Sequence, residues 1–180
     1  MARCAICKSV FIRRSMTHKA CGPECAAEYA KQQRQKSELK EIRARKLAIK
    51  PRSEWLKDAQ VAFNAFVRYR DKDKPCICCG KPLTLEAVGG GYDCGHYRST
   101  GSAPHLRFDE RNAHAQRKVC NRYGAGRAVD YRIGLVARIG WAEVEALEAD
   151  NQARKYSVDD LKKIRDFYRA KLKALKGGSE

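Results

Sequence analysis

Nine cysteines in a chain of 180 residues limit what it can become more than any other feature. Four of them fall as Cys4-x2-Cys7 and Cys21-x3-Cys25, in a stretch short of large apolar residues. The opening Met1-Ala2-Arg3-Cys4 has no apolar run of the secretory kind, and no later run reaches the length of a membrane span. The expected compartment is therefore a reducing cytoplasm, where thiols bind zinc more readily than they pair as disulfides. An odd count also argues against a closed disulfide set. Two close thiolate pairs complete a tetrahedral shell, and a shell made only of thiolates leaves no open position for water. Cys4, Cys7, Cys21 and Cys25 are thus expected to hold one structural zinc, in the layout of a treble-clef-like finger over residues 1–30.

Lys and Arg total 38 against 21 acidic residues, a net charge of +17. A surplus of that size favours a polyanionic partner, and nucleic acid is the commonest. Charge alone does not separate DNA from RNA. It is densest at 31–52, where nine basic residues meet two acidic ones. Pro23 suits a first helical turn, and no Gly or Pro follows until Pro51. A long basic helix is expected there, with Arg43, Arg45 and Lys46 on phosphates.

Ser53 is expected to cap a helix running to about Tyr69, with Trp55, Ala59, Ala62, Phe63, Phe66 and Val67 at helical spacing. Asp71 to Pro75 reads as a turn, and Gly89-Gly90-Gly91 as another. A strand is expected near Tyr92–Tyr97. Helices are expected at Ala128–Ile139, at Trp141–Ala149, and after the capping sequence Ser157-Val158-Asp159-Asp160. In the last, Leu161, Ile164, Tyr168, Leu172 and Leu175 form a stripe, read first as core and second as the seam of a homodimer. The fold class is α+β and helix-rich. Its expected parts are the finger (1–30), the basic arm (31–52), a module with its preceding helix (53–140) and a C-terminal helical extension (141–180).

The middle of the chain holds a second cysteine cluster. Cys76-Ile77-Cys78-Cys79-Gly80 supplies a knuckle, followed by Tyr92-Asp93-Cys94-Gly95-His96-Tyr97, Asp109-Glu110-Arg111-Asn112 and Cys120-Asn121. This order resembles a zinc-supported HNH nuclease, a ββα-metal module. More narrowly, the chain resembles the NinG (Rap) recombination family of lambdoid phages. The resemblance rests on the first four cysteines, Gly95-His96-Tyr97-Arg98, His105-Leu106-Arg107-Phe108, Asn112-x-His114-x-Gln116, Cys120-Asn121, Tyr131-Arg132-x-Gly134-Leu135 and Arg138-Ile139-Gly140, and spans nearly the whole chain. It implies metal-dependent nicking of branched DNA, D-loops and Holliday junctions, inside a host bacterial cell.

Hydrolysis of a phosphodiester needs a base for water and a cation for the developing charge. His96 is the candidate base, since imidazole titrates near neutrality. Asn112 is expected to hold the His96 strand. Asn121 occupies the place of the family's last histidine and is expected to face Mg²⁺ or Mn²⁺, with Asp93 as the nearest carboxylate. Arg98 and Arg107 flank the site as phosphate contacts. The sequence departs from the pattern at Gly95, where an acid is usual, and at Arg117, where a thiolate belongs. A guanidinium cannot coordinate a cation. Cys76, Cys79 and Cys120 then lack a fourth ligand, and Cys94 is the candidate, with Cys78 set too close to its neighbours; a site without zinc is the competing expectation. Two other functions stay open: a non-catalytic zinc-finger DNA adaptor and an RNA-binding protein.

Overall fold

The computed structural model describes residues 1–84, 91–124 and 126–178. Gly89 and Gly90, read as turn residues, lie outside these. The chain divides into two compact units, 1–50 and 51–180.

In the first unit, β1 (Ala2–Arg3) and β2 (Val10–Phe11) pair antiparallel, with Ala2 opposite Phe11. The turn between them closes through Cys4 N–H to Ser9 O (2.8 Å) and Lys8 N–H to Cys4 O (3.1 Å). Lys8 takes a left-handed conformation there, φ 65°. Helix α1 (Pro23–Ala48) starts with Pro23 in its first turn and has no buried residue along its length. It ends before Lys50, because a residue preceding proline is pushed out of the helical region. Intrinsic propensity alone holds such a helix weakly, since most helical stability in proteins comes from a packed face.

The second unit opens with α2 (Arg52–Arg70). Its N-cap is Pro51 and no side chain caps it, so Ser53 is a helical residue and not the expected cap. The stripe from Trp55 to Val67 is buried as its periodicity requires. It packs against α5 (Val158–Gly177), where Leu161 and Tyr168 are buried and Ile164 and Leu172 partly so. Phe63 meets Tyr168 edge-on at 4.8 Å between centroids. Burying one such side chain contributes about 1.5–3 kcal/mol. Leu161, Ile164, Tyr168 and Leu172 of the C-terminal stripe are therefore occupied within the unit, while Leu175 is 40% exposed. Ser157 caps α5 as expected, in a reciprocal capping box with Asp160.

A two-stranded antiparallel sheet, β3 (Tyr92–His96) and β4 (Ala113–Arg117), lies against α2. A π-helical turn (Val119–Tyr123) follows, then α3 (Ala128–Ile139) and α4 (Trp141–Ala149). The last two enclose a second core of Ile77, Ala103, Leu106, Tyr131, Leu135, Val144 and Leu147. Gly134 lets α3 lie directly on the cysteine knuckle: a β-carbon there would sit 1.7 Å from Ile77 O. Among the described residues, no helix is long and apolar enough to cross a membrane.

Candidate metal centres and the cleft beside His96

The thiols of Cys4, Cys7, Cys21 and Cys25 lie within 4.8 Å of one another. Cys7 and Cys21 sulfurs are 3.4 Å apart, and Cys21 and Cys25 sulfurs 3.8 Å. A tetrahedral zinc with bonds of about 2.3 Å spaces its sulfurs by about 3.8 Å, so the set fits that ion. Crowding splits the thiols. The neighbouring Cys21 and Cys7 thiols push Cys25 up to about 12. Burial raises Cys4, but backbone N–H donors outweigh it and bring Cys4 down to about 6. A bound dication would resolve this conflict by holding all four as thiolates.

A second all-cysteine group consists of Cys76, Cys78, Cys79 and Cys120. The expected fourth ligand was Cys94, and Cys78 stands in its place. Gly80, at φ 67°, permits a tight curl closed by Gly80 N–H to Cys76 O (3.0 Å) and Cys76 N–H to Lys81 O (2.9 Å). That curl brings Cys76 and Cys78 sulfurs to 3.6 Å despite their nearness in sequence. Cys94 is turned away. The register of β3 on β4 is unbroken from Tyr92 to His96, so Cys94 and His96 share one face and Gly95 takes the other. The Cys94 thiol packs against the α2 core, and burial pushes it up to about 12. Arg117 does not ligate, but its N–H lies 3.3 Å from Cys76 Sγ.

His96 ends β3 half-buried, with the Phe63 ring 6.0 Å away. Its Nε2 lies 3.0 Å from Arg107 O. A carbonyl only accepts, so Nε2 carries the proton and Nδ1 keeps its lone pair. Burial pulls the imidazole below its ordinary range, outweighing the carbonyl contact. A neutral imidazole with a free lone pair is the form a general base needs. The ring borders a cavity of about 740 Å³ that Asn121, Arg98, Tyr97, Tyr131 and Glu148 also line.

Asn112 is fully buried and clamps this segment. Its Oδ1 accepts from Arg98 N–H (2.8 Å), and its Nδ2 donates to Arg98 O (3.0 Å) and Leu106 O (3.1 Å). The other expected site residues are arranged differently. Asp93 lies on the opposite strand face from His96 and is held by Arg122 Nε at 2.8 Å. Asn121 Nδ2 reaches it only at 3.5 Å. Arg98 spans the C-terminal end of α4, donating to Leu147 O (2.9 Å), Asp150 O (2.6 Å) and Asn151 Oδ1 (2.9 Å). It satisfies the helix's orphan carbonyls and is not poised for phosphate. Arg107 donates to Gln60 Oε1 and Thr100 O, both at 3.1 Å. His114 is buried beside Arg70 and Asp71 and has a structural environment. Arg43, Arg45 and Lys46 are exposed on α1.

The carboxylate that does line the cavity is Glu148, from the C-terminal extension. Arg132 grips it with two nitrogens, at 2.7 and 3.1 Å, and Tyr97 Oη donates to it. The Arg132 hydrogen bonds, then that of Tyr97, hold its carboxyl down at about 2. Nothing local in the sequence marks Glu148, since it reaches Tyr97 only through the packing of α3 and α4. Among the described residues, the two groups of thiols are the only sets of His, Cys, Asp or Glu that converge as metal ligands. Among the described residues, no three such side chains gather beside His96 for the expected Mg²⁺ or Mn²⁺.

The model of the family described as "Bacteriophage Lambda NinG protein" matches residues 1–178. Protein ninG of Salmonella phage P22 is 41% identical over 174 residues, covering 87% of this chain and 83% of that protein. Protein ninG of Escherichia phage lambda is 40% identical over the same length, with the same coverage. Protein ninG of Escherichia phage 933W is 38% identical over 192 residues, covering 97% of this chain and 93% of that protein. No solved structure matches significantly.

Proposed function

The chain belongs to the NinG family of bacteriophage proteins, and from that premise we propose that it is an endonuclease of branched recombination DNA, D-loops and Holliday junctions. The observation that carries this reading is the state of His96: neutral, proton on Nε2, its ring on a cavity shared with Asn121. The order of β3, β4 and the π-helical turn, with His96 ending the first strand and Asn121 in the turn, supports reading this segment as a ββα-metal unit. In the proposed step, Nδ1 of His96 takes a proton from the attacking water, and the Asn112 clamp keeps the following backbone in place. Asp93 is turned from His96 and engaged by Arg122, so it is not placed to hold a divalent cation beside the imidazole.

DNA is held by charge and shape and not by base-edge reading. The net charge of +17 and the exposed Arg43, Arg45 and Lys46 on α1 support that assignment. The test is incubation of the zinc-loaded protein with four-way junction and linear duplex, in Mg²⁺, Mn²⁺ or EDTA. Cleavage of the junction that His96→Ala abolishes, with binding retained, is the expected result. Tighter binding to RNA at matched salt would reassign the charge. A second reading, a non-catalytic zinc-finger DNA adaptor, draws support from the Glu148–Arg132 and Asp93–Arg122 pairs, which engage the carboxylate on the cavity and the one on the opposite strand face. Binding without cleavage in all three conditions selects it.

A further inference from the structure

Among the exposed apolar side chains of the first finger, two lie on one loop. Ile12 is 81% exposed and Met16 86% exposed, on the loop that follows β2. The loop is nevertheless ordered by its own contacts. Arg13 Nε donates to Ser15 O (3.0 Å), and its Nη2 donates to Met16 O. Arg14 N–H donates to His18 Nδ1 (3.3 Å), His18 N–H to Ser15 O (3.2 Å), and Ser15 and Thr17 hydroxyls meet at 3.0 Å. Phe11 packs edge-on against His18 at 5.0 Å, anchoring the base of the loop to the strand. These contacts hold the loop backbone while Ile12 and Met16 stay exposed.

The surroundings choose the occupant. Residues 1–22 carry Arg3, Lys8, Arg13, Arg14 and Lys19 and no acidic side chain. A zinc ion with four thiolates is net dianionic, and five cations exceed that. Exposed apolar side chains in a segment whose charged residues are all basic suit neither a lipid interior nor a neutral protein groove as well as they suit a polyanion with apolar faces to cover. Nucleic acid is that ligand, because its bases are apolar in the stacking direction and its backbone is anionic. Ile and Met are among the side chains that wedge between base steps, and unstacking costs least where bases are already splayed.

We propose that residues 12–16 of the N-terminal finger form a wedge that inserts Ile12 and Met16 against unstacked bases at a DNA branch point, with basic side chains of residues 1–22 on the flanking phosphates. This rests on the DNA reading above and adds the means by which a branch is told from a duplex. The wedge supplies shape selection at the finger and takes no part in cleavage.

The test uses the full zinc-loaded chain and a four-way junction carrying 2-aminopurine at the branch. Wild type raises the 2-aminopurine emission, and Ile12→Ser/Met16→Ser abolishes the rise. Junction affinity falls about tenfold while the salt slope is unchanged, because no phosphate contact is lost. Ile12→Phe/Met16→Leu, which keeps apolar bulk, retains the rise and so separates the wedge from the finger's integrity. An undiminished rise in the serine variant overturns the wedge and leaves DNA binding standing. So does a dimer of the chain, seen by sedimentation, that the serine variant dissolves with the emission unaffected. Failure of wild type to bind any DNA overturns both the wedge and the reading on which it rests.

Discussion

A β-carbon on Gly95 would lie 2.2 Å from Oε1 of Gln116. Gln116 has little freedom to retreat: its Nε2 donates to Gly126 O (2.8 Å) and contacts Cys78 Sγ (3.5 Å). The slot where an acid is usual in such nucleases is thus filled here by the link between β3 and the second cysteine group. Gly95→Ala is expected to displace Gln116 and cost about 1–3 kcal/mol, as overpacking does. Thermal unfolding of the zinc-loaded protein reads the loss, and faster zinc release to a chelator places it at the Cys78 side.

Zinc stoichiometry distinguishes Cys78 from Cys94. With two groups of four thiols, wild type is expected to hold about two zinc ions per chain. Cys78→Ser should lower the count to about one, and Cys94→Ser should leave it at about two. A drop with Cys94→Ser alone would restore the strand cysteine as ligand.

Asp71 is fully buried among cations and donors. Arg70 Nη2 lies 2.8 Å away, Lys74 Nζ 3.2 Å and Ala115 N–H 3.1 Å, with His114 Nδ1 at 3.5 Å. Burial alone would raise its carboxyl, but His114 and Arg70 hold it far below the usual carboxylate range. Asp71→Asn removes the countercharge and is expected to cost about 3–5 kcal/mol. The sign of the pH effect follows from the depressed value. The contribution is fully present above the unfolded carboxylate value of about pH 4 and is lost as pH falls below it. Chemical denaturation of wild type should weaken below that point, with a flatter acid limb in the variant.

The His96 imidazole is neutral at pH 7, since burial lowers its affinity for protons. Single-turnover cleavage of a junction is therefore expected to stay level through neutrality and fall only below the ordinary imidazole value of about pH 6.5. An acid limb above that value would assign the titrating base to another group.

Local physics made much of this protein legible in its sequence. Helices α2 to α5 follow from apolar spacing, the bounding glycines and the Ser157–Asp160 cap, all carried within a few residues of chain. The first thiol group was equally readable, because each cysteine pair is local and the second sits at a helix start. The strand that carries His96 could be placed from motif order, whereas its partner β4, directly after Asn112, could not.

Partner choice across the fold was decided by tertiary structure. Strand alternation put Asp93 and His96 on opposite faces, which only the unbroken β3–β4 register determines. The curl at Gly80 brought Cys78 into the second group, while packing against α2 took Cys94 out of it. Arg98 is engaged by the end of α4 and Glu148 by Arg132, both residues distant in sequence. Spacing reports which side chains lie near one another along a strand or helix turn. Which of them meet across elements depends on how buried surfaces pack and which polar groups must then be satisfied, and that is a property of the whole fold.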